Sequence, residues 1–178
     1  MYEYQREGQA NDRRQETMRQ KMDYRKNLHF AVLAKALSSY SQAKKCRRML
    51  CARAIRLVAG TKCVLADCYD DYMDCLNDAQ LEIENLVRDV QTSASAFANA
   101  SLISIDLRSL ESYLKKLIEQ YKTLRPHFSA AALASMELAQ LPTLEAFLGP
   151  SDGSEFKRDF LEPYKKIQTQ IRGDLLRL

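Results

Sequence analysis

Glycine is missing from residues 61–148, a stretch of the 178-residue chain that holds only two of its four prolines, Pro126 and Pro142. With so little turn chemistry and helix formers between the gaps, a fold rich in tight hairpins is excluded and long α-helices are expected. Tryptophan is absent altogether. No apolar run approaches the roughly 20 residues that a membrane-spanning helix needs. The longest, around Phe30–Leu37 and Ile55–Gly60, are short and interrupted or flanked by Lys and Arg. No hydrophobic segment resembling a signal peptide opens the chain, and Glu3, Glu7, Asp12, Glu16 and Asp23 spoil the acid-poor composition of a mitochondrial presequence. An intracellular, cytoplasmic setting is the resulting expectation, with the five cysteines as reduced thiols.

What is present is helical periodicity. Residues 1–27 are polar all round and are expected to form an arm that orders on a partner. Residues 28–125 are expected to form a long helical hairpin plus a third amphipathic helix, and residues 126–178 a C-terminal set of shorter helices. In the first helix Phe30, Leu33, Leu37, Tyr40, Cys51, Ala54 and Val58 return to one face, with Lys44 and Arg47 interrupting it. Gly60 and Thr61 provide a stop and a possible new start. Leu65, Tyr72, Leu76, Ala79, Ile83, Leu86, Val90 and Phe97 trace a second helix, with an acidic arc alongside from Asp67 to Glu82. The small, polar residues 92–101 predict a break. Ile103, Leu107, Leu110, Leu114, Leu117, Tyr121 and Leu124 then form the clearest heptad, closed by Pro126. A short Ala-rich helix is expected from Ser129 to Leu141, another turn or two after Pro142, and a last helix striped by Phe156, Phe160, Tyr164, Ile167, Ile171 and Leu175, kinked at Pro163. The fold class is therefore all-α: a long antiparallel hairpin or bundle with coiled-coil character.

Charge is unevenly laid out. The first 60 residues hold 14 Lys and Arg against 5 acids, whereas residues 67–89 hold 8 acids and one Arg. The direct explanation is an antiparallel hairpin that sets the basic helix against the acidic one. Exposed pairs contribute only about 0.2–1 kcal/mol each. Each buried Leu, Ile or Phe contributes roughly 1.5–3 kcal/mol, so the apolar seam holds such a hairpin and the charges select its register. The alternative is that Lys44, Lys45, Arg47 and Arg48, continuing to Arg53 and Arg56, offer an anionic membrane a basic face. Nucleic-acid binding is disfavoured by sparse aromatic interleaving and the absence of a recognised motif.

Motifs for chemistry are weak. Asp70-Asp71-Tyr72-Met73-Asp74 has the DDxxD spacing that prenyl-diphosphate enzymes use to bind Mg²⁺. Those folds need more chain and a second motif, so a solvated acidic face is the expectation. Cys46-x4-Cys51 and Cys63-x4-Cys68 rotate their thiols by about 140° on a helix, which suits neither a shared face nor zinc. Cys51, Cys68 and Cys75 are expected as small packed residues. His29 and His127 have no ligand-spaced partner. No catalytic residue, cofactor or metal is assigned. The expected function is a non-enzymatic interaction or scaffold subunit, with Leu107, Leu110, Leu114 and Leu117 and the cluster Lys44, Lys45, Arg47 and Arg48 as partner-binding residues in a homo- or hetero-oligomer.

Overall fold

The structure, a computed structural model, describes residues 2–58, 61–65, 69–125, 133–149 and 154–177, with the backbone alone described at 2–8, 10, 53–58, 61–65, 133–137 and 154. Four long helical segments enclose its core: α1 (Tyr2–Met49), α2 (Tyr69–Thr92), α3 (Ala100–Thr123) and, after the shorter α4 (Pro142–Leu148) and α5 (Ser154–Phe156), α6 (Glu162–Leu175). Each long helix packs on two others, in the ring α1–α2–α3–α6. Cross-links at the two ends fix the directions. Cys46 and Met49 of α1 meet Tyr72 of α2 at one end, whereas Arg25 and His29 of α1 meet Ala96 and Asp174 at the other. The helices therefore run up, down, up and down, as in an antiparallel four-helix bundle.

The seams are heptads. On α2 the buried residues are Tyr69, Tyr72, Leu76, Ala79, Ile83, Leu86 and Val90, in strictly alternating steps of three and four. On α3 they include Ile103, Leu107, Leu110, Leu114, Leu117 and Tyr121. The last helical run buries Phe156, Phe160, Tyr164, Ile167 and Ile171. A π-helical turn at Lys157–Leu161 stands directly before Pro163. This widening of the helix falls where the proline ring lacks an N–H and would crowd the preceding turn.

On α1 the buried face differs from the one expected. It consists of His29, Val32, Ala36, Ser39, Ala43, Cys46 and Leu50, whereas Phe30 is 59% exposed and Leu37 stands at the surface. Small residues win this face because they let the α1 and α2 backbones approach. The Ser39 hydroxyl donates to the Ala79 carbonyl at 3.2 Å and shares a 2.8 Å hydrogen bond with Tyr164 Oη. A large side chain in place of Ala36, Ser39 or Ala43 would separate the helices. Leu33 and Tyr40, on the expected stripe, pack from the side, with Tyr40 against the rings of Phe160 and Tyr164.

Two connections also depart from expectation. After α1 the chain makes a π-helical turn at Leu50–Ala54, then an antiparallel pair, β1 (Ile55–Val58) and β2 (Thr61–Leu65). β3 (Leu133–Glu137) joins the free edge of β2 in antiparallel register, with an irregularity between Cys63 and Leu65. The Ala-rich helix expected from Ser129 to Leu141 is thus a strand over 133–137 followed by a 3₁₀ turn at Leu138–Gln140. Pairing with β2 outweighs a helix propensity that is only a weak local bias. The turn expected at Gly60 lies outside the described residues. The break after α2 is real: α2 ends at Thr92 and α3 begins at Ala100, with a 3₁₀ turn between.

Candidate functional site

Helix α1 is longer than the bundle. The polar stretch 1–27 that was expected as a separate arm supplies its first half, continuous with the packed portion. Residues 11–24 are all exposed. At 1.5 Å per residue, the part of α1 before Arg25 extends for about 35 Å. Arg25 marks where the helix meets the body: its Nε and Nη2 donate to the Ala96 carbonyl at 3.3 and 3.0 Å. One turn on, His29 is buried between α1 and the end of α6. Its Nδ1 lies 2.6 Å from the Arg25 carbonyl, its Nε2 3.6 Å from Asp174 Oδ2, and its ring 4.5 Å from that of Phe97. The Ala98 N–H donates to the same Asp174 oxygen at 2.9 Å. This buried cluster joins α1, the α2–α3 connection and α6, and a lone His at position 29 carries no signal for it in the sequence.

The heptad rhythm of α1 continues outward from this junction. Stepping back from His29 by four and three residues in turn reaches Arg25, Met22 and Met18. These two methionines continue the line of the core seam, yet Met18 is 69% and Met22 42% exposed. Tyr24, on another face of the helix, is also exposed. A groove lined by Thr17, Gln20, Lys21, Tyr24 and Arg25 of the helix, with Ser95 and Ala96 opposite, runs along the base of this extension.

The leucines expected to bind a partner are elsewhere. Leu107, Leu110, Leu114 and Leu117 are all completely buried, in the core formed by the chain's own helices. Their heptad closes internally, so they present no surface to another molecule. This corrects their assignment as partner contacts.

The basic cluster is divided between two faces of α1. Lys45 lies in a groove with Asp71, Asp74 and Asp78 of α2, and further along the same pair of helices Lys35 reaches Asp89 at 2.6 Å. Ser38 and Gln42 hydrogen-bond Glu82. Lys45 and Lys35 of α1 thus lie beside acids of α2, which is the part of the basic face that follows the hairpin reading. Lys44 and Arg47 turn instead toward α5 and the π-helical turn, where with Tyr40, Phe156, Phe160 and Leu161 they line a cavity of about 210 Å³. Arg47 donates from Nε to the Phe147 carbonyl at 2.5 Å and from Nη2 to the Gly149 carbonyl. Arg48 is exposed, and the side chains of Arg53 and Arg56 lie outside the description.

Asp70, Asp71 and Asp74 are exposed at the start of α2, and among the described residues no group of three His, Cys, Asp or Glu side chains is placed to hold a metal ion. Among the described cysteine side chains, Cys51 is exposed rather than packed, Cys46 lies in the core and Cys75 packs half-buried against it. Burial and the neighbouring Cys75 thiol push the Cys46 thiol well above its ordinary range, so it remains protonated. Cys63 and Cys68 lie outside the described side chains, as does His127. Among the described residues no helix is long and apolar enough to cross a membrane. Compared with protein-family models, curated proteins and solved structures, the chain matches none.

Proposed function

We propose that the protein is a non-enzymatic helical interaction module, in which the four-helix body is a rigid base and the N-terminal half of α1 receives a helix from a protein partner. The observation that carries this reading is the seam at Met18 and Met22, which runs on from the core seam of α1 and is exposed, 69% and 42%, rather than packed against it. Methionine suits such a role, because its flexible, polarisable side chain adapts to whichever apolar surface packs on it. A partner helix laid along this seam would extend the coiled-coil packing of the bundle. Arg14, Arg19 and Lys21 flank the seam and favour a partner with acidic flanks.

The alternative reading, a basic face at 44–56 bound to an anionic membrane, has less support. Lys45 is set against three aspartates, and Arg47 is turned inward onto backbone carbonyls.

Photo-crosslinking in cells tests the proposal. A photoreactive residue at Met18 or Met22 is expected to yield a discrete heavier product containing a second polypeptide. The same residue at Glu16 or Asn27, which project from the far side of α1 and outside the groove at its base, is expected to yield none. Equal products from both faces, or none from either, would count against the seam as an interface.

A further inference from the structure

The cavity beside Lys44 and Arg47 has the composition of an anion site with an apolar wall. Its walls are three aromatic rings, Tyr40, Phe156 and Phe160, with Leu161 and two cations. Phe156 and Phe160 stack at 5.1 Å with their planes 19° apart, and Tyr40 faces Phe160 at 6.3 Å. The Arg47 guanidinium lies 5.0 Å from the Phe156 ring centre, and the Lys44 ammonium 5.6 Å from that of Tyr40. Arg47 is held in place by the Phe147 and Gly149 carbonyls through Nε and Nη2, and its Nη1 makes no hydrogen bond among the described residues. Among the described residues neither cation has a carboxylate within 4.0 Å. The nearby Asp159 is engaged by Arg158 at 2.6 Å, and Glu155, next to Phe156, pairs with neither Lys44 nor Arg47. Two positive charges beside aromatic rings, with no paired carboxylate among the described residues, attract an anion that also has an apolar body.

We infer that this cavity binds a small organic carboxylate carrying one ring or a short branched chain. Its size sets the upper limit: about 210 Å³ is below the roughly 300–1,000 Å³ of sites for drug-sized ligands. The planar guanidinium edge matches a carboxylate, with the Lys44 ammonium as a second, mobile charge. The rings take the apolar body, which a bare phosphate does not have.

The test uses the full chain, ¹⁵N-labelled, titrated with 3-phenylpropionate while amide spectra are recorded. Saturable shifts are expected at Tyr40, Lys44, Phe160 and Leu161. The neutral analogue 3-phenylpropan-1-ol and inorganic phosphate should each bind about tenfold more weakly or worse, since each lacks one half of the match. Lys44 is exposed and makes no hydrogen bond to the fold, so Lys44→Gln should leave the spectrum otherwise intact and weaken the carboxylate about tenfold. Arg47→Gln should weaken it further, but that change also removes two contacts to the end of α4, at Phe147 and Gly149, so the Lys44 variant decides. Absence of saturation, equal binding of the alcohol, equal binding of phosphate, or unchanged affinity in Lys44→Gln would each overturn the inference.

Discussion

Leu114 is completely enclosed by the chain's own helices, so shortening it removes packing from the core rather than an outside contact. Leu114→Ala is expected to destabilise the fold by about 2–5 kcal/mol, the range for a leucine truncated in a closed core. Urea unfolding measures it, and a change below about 1 kcal/mol would mean the seam is open to solvent. The heptads of α2, α3 and the final helix were legible at this scale, because Leu, Ile, Phe and Tyr recur at helical spacing. The core face of α1 was not. Ala36, Ser39, Ala43 and Cys46 are small, and a stripe weighted by hydrophobicity favours Phe30 and Leu37, which are exposed. A rhythm of small residues at steps of three and four was the available signal. The His29–Asp174 contact had none, because the two residues are brought together only when α6 closes the bundle.

Between elements, the α3–α6 contact carries a pH dependence. Asp106 of α3 accepts a hydrogen bond from Gln170 Nε2 at 3.3 Å. Burial raises its carboxyl above the ordinary value, with Lys166 and the Gln170 bond pulling it partly back. A raised pKa in the folded state means the contribution of this group to stability is full below the ordinary carboxylate value, about 4. That contribution is lost as pH rises through the raised value. Asp106→Asn keeps an acceptor for Gln170 and removes the ionisation. Melting temperatures from pH 4 to 7 should therefore decline less in the variant than in the parent chain, and parallel curves would show that Asp106 does not titrate differently on folding. Helix content and breaks were largely legible at this scale, including the interruption after Thr92 and the restart at Pro142. The sheet was not, since Leu133–Glu137 pairs with a strand some seventy residues earlier and its own composition favours helix.

At the scale of the molecule, the charge layout and the packing give one account. The acidic arc of α2 faces the basic side of α1, the apolar seams close within the chain, and the N-terminal half of α1 is left outside. The charge asymmetry was legible in the sequence and its main consequence was foreseen. The proposed interaction surface was not: the long α3 seam, expected to face a partner, is instead the centre of the bundle, and the exposed Met18 and Met22 belong to a stretch whose polar composition hid them. If the four-helix body is complete without that extension, residues 2–24 contribute little to its stability. The most direct measurement is thermal unfolding of the chain lacking residues 2–24 beside the full chain. The account predicts one cooperative transition in both, with midpoints within about 4 °C, a difference of roughly 1–2 kcal/mol for a domain of this size. A shortened chain without a cooperative transition would contradict it, and would show that the extension is part of the core.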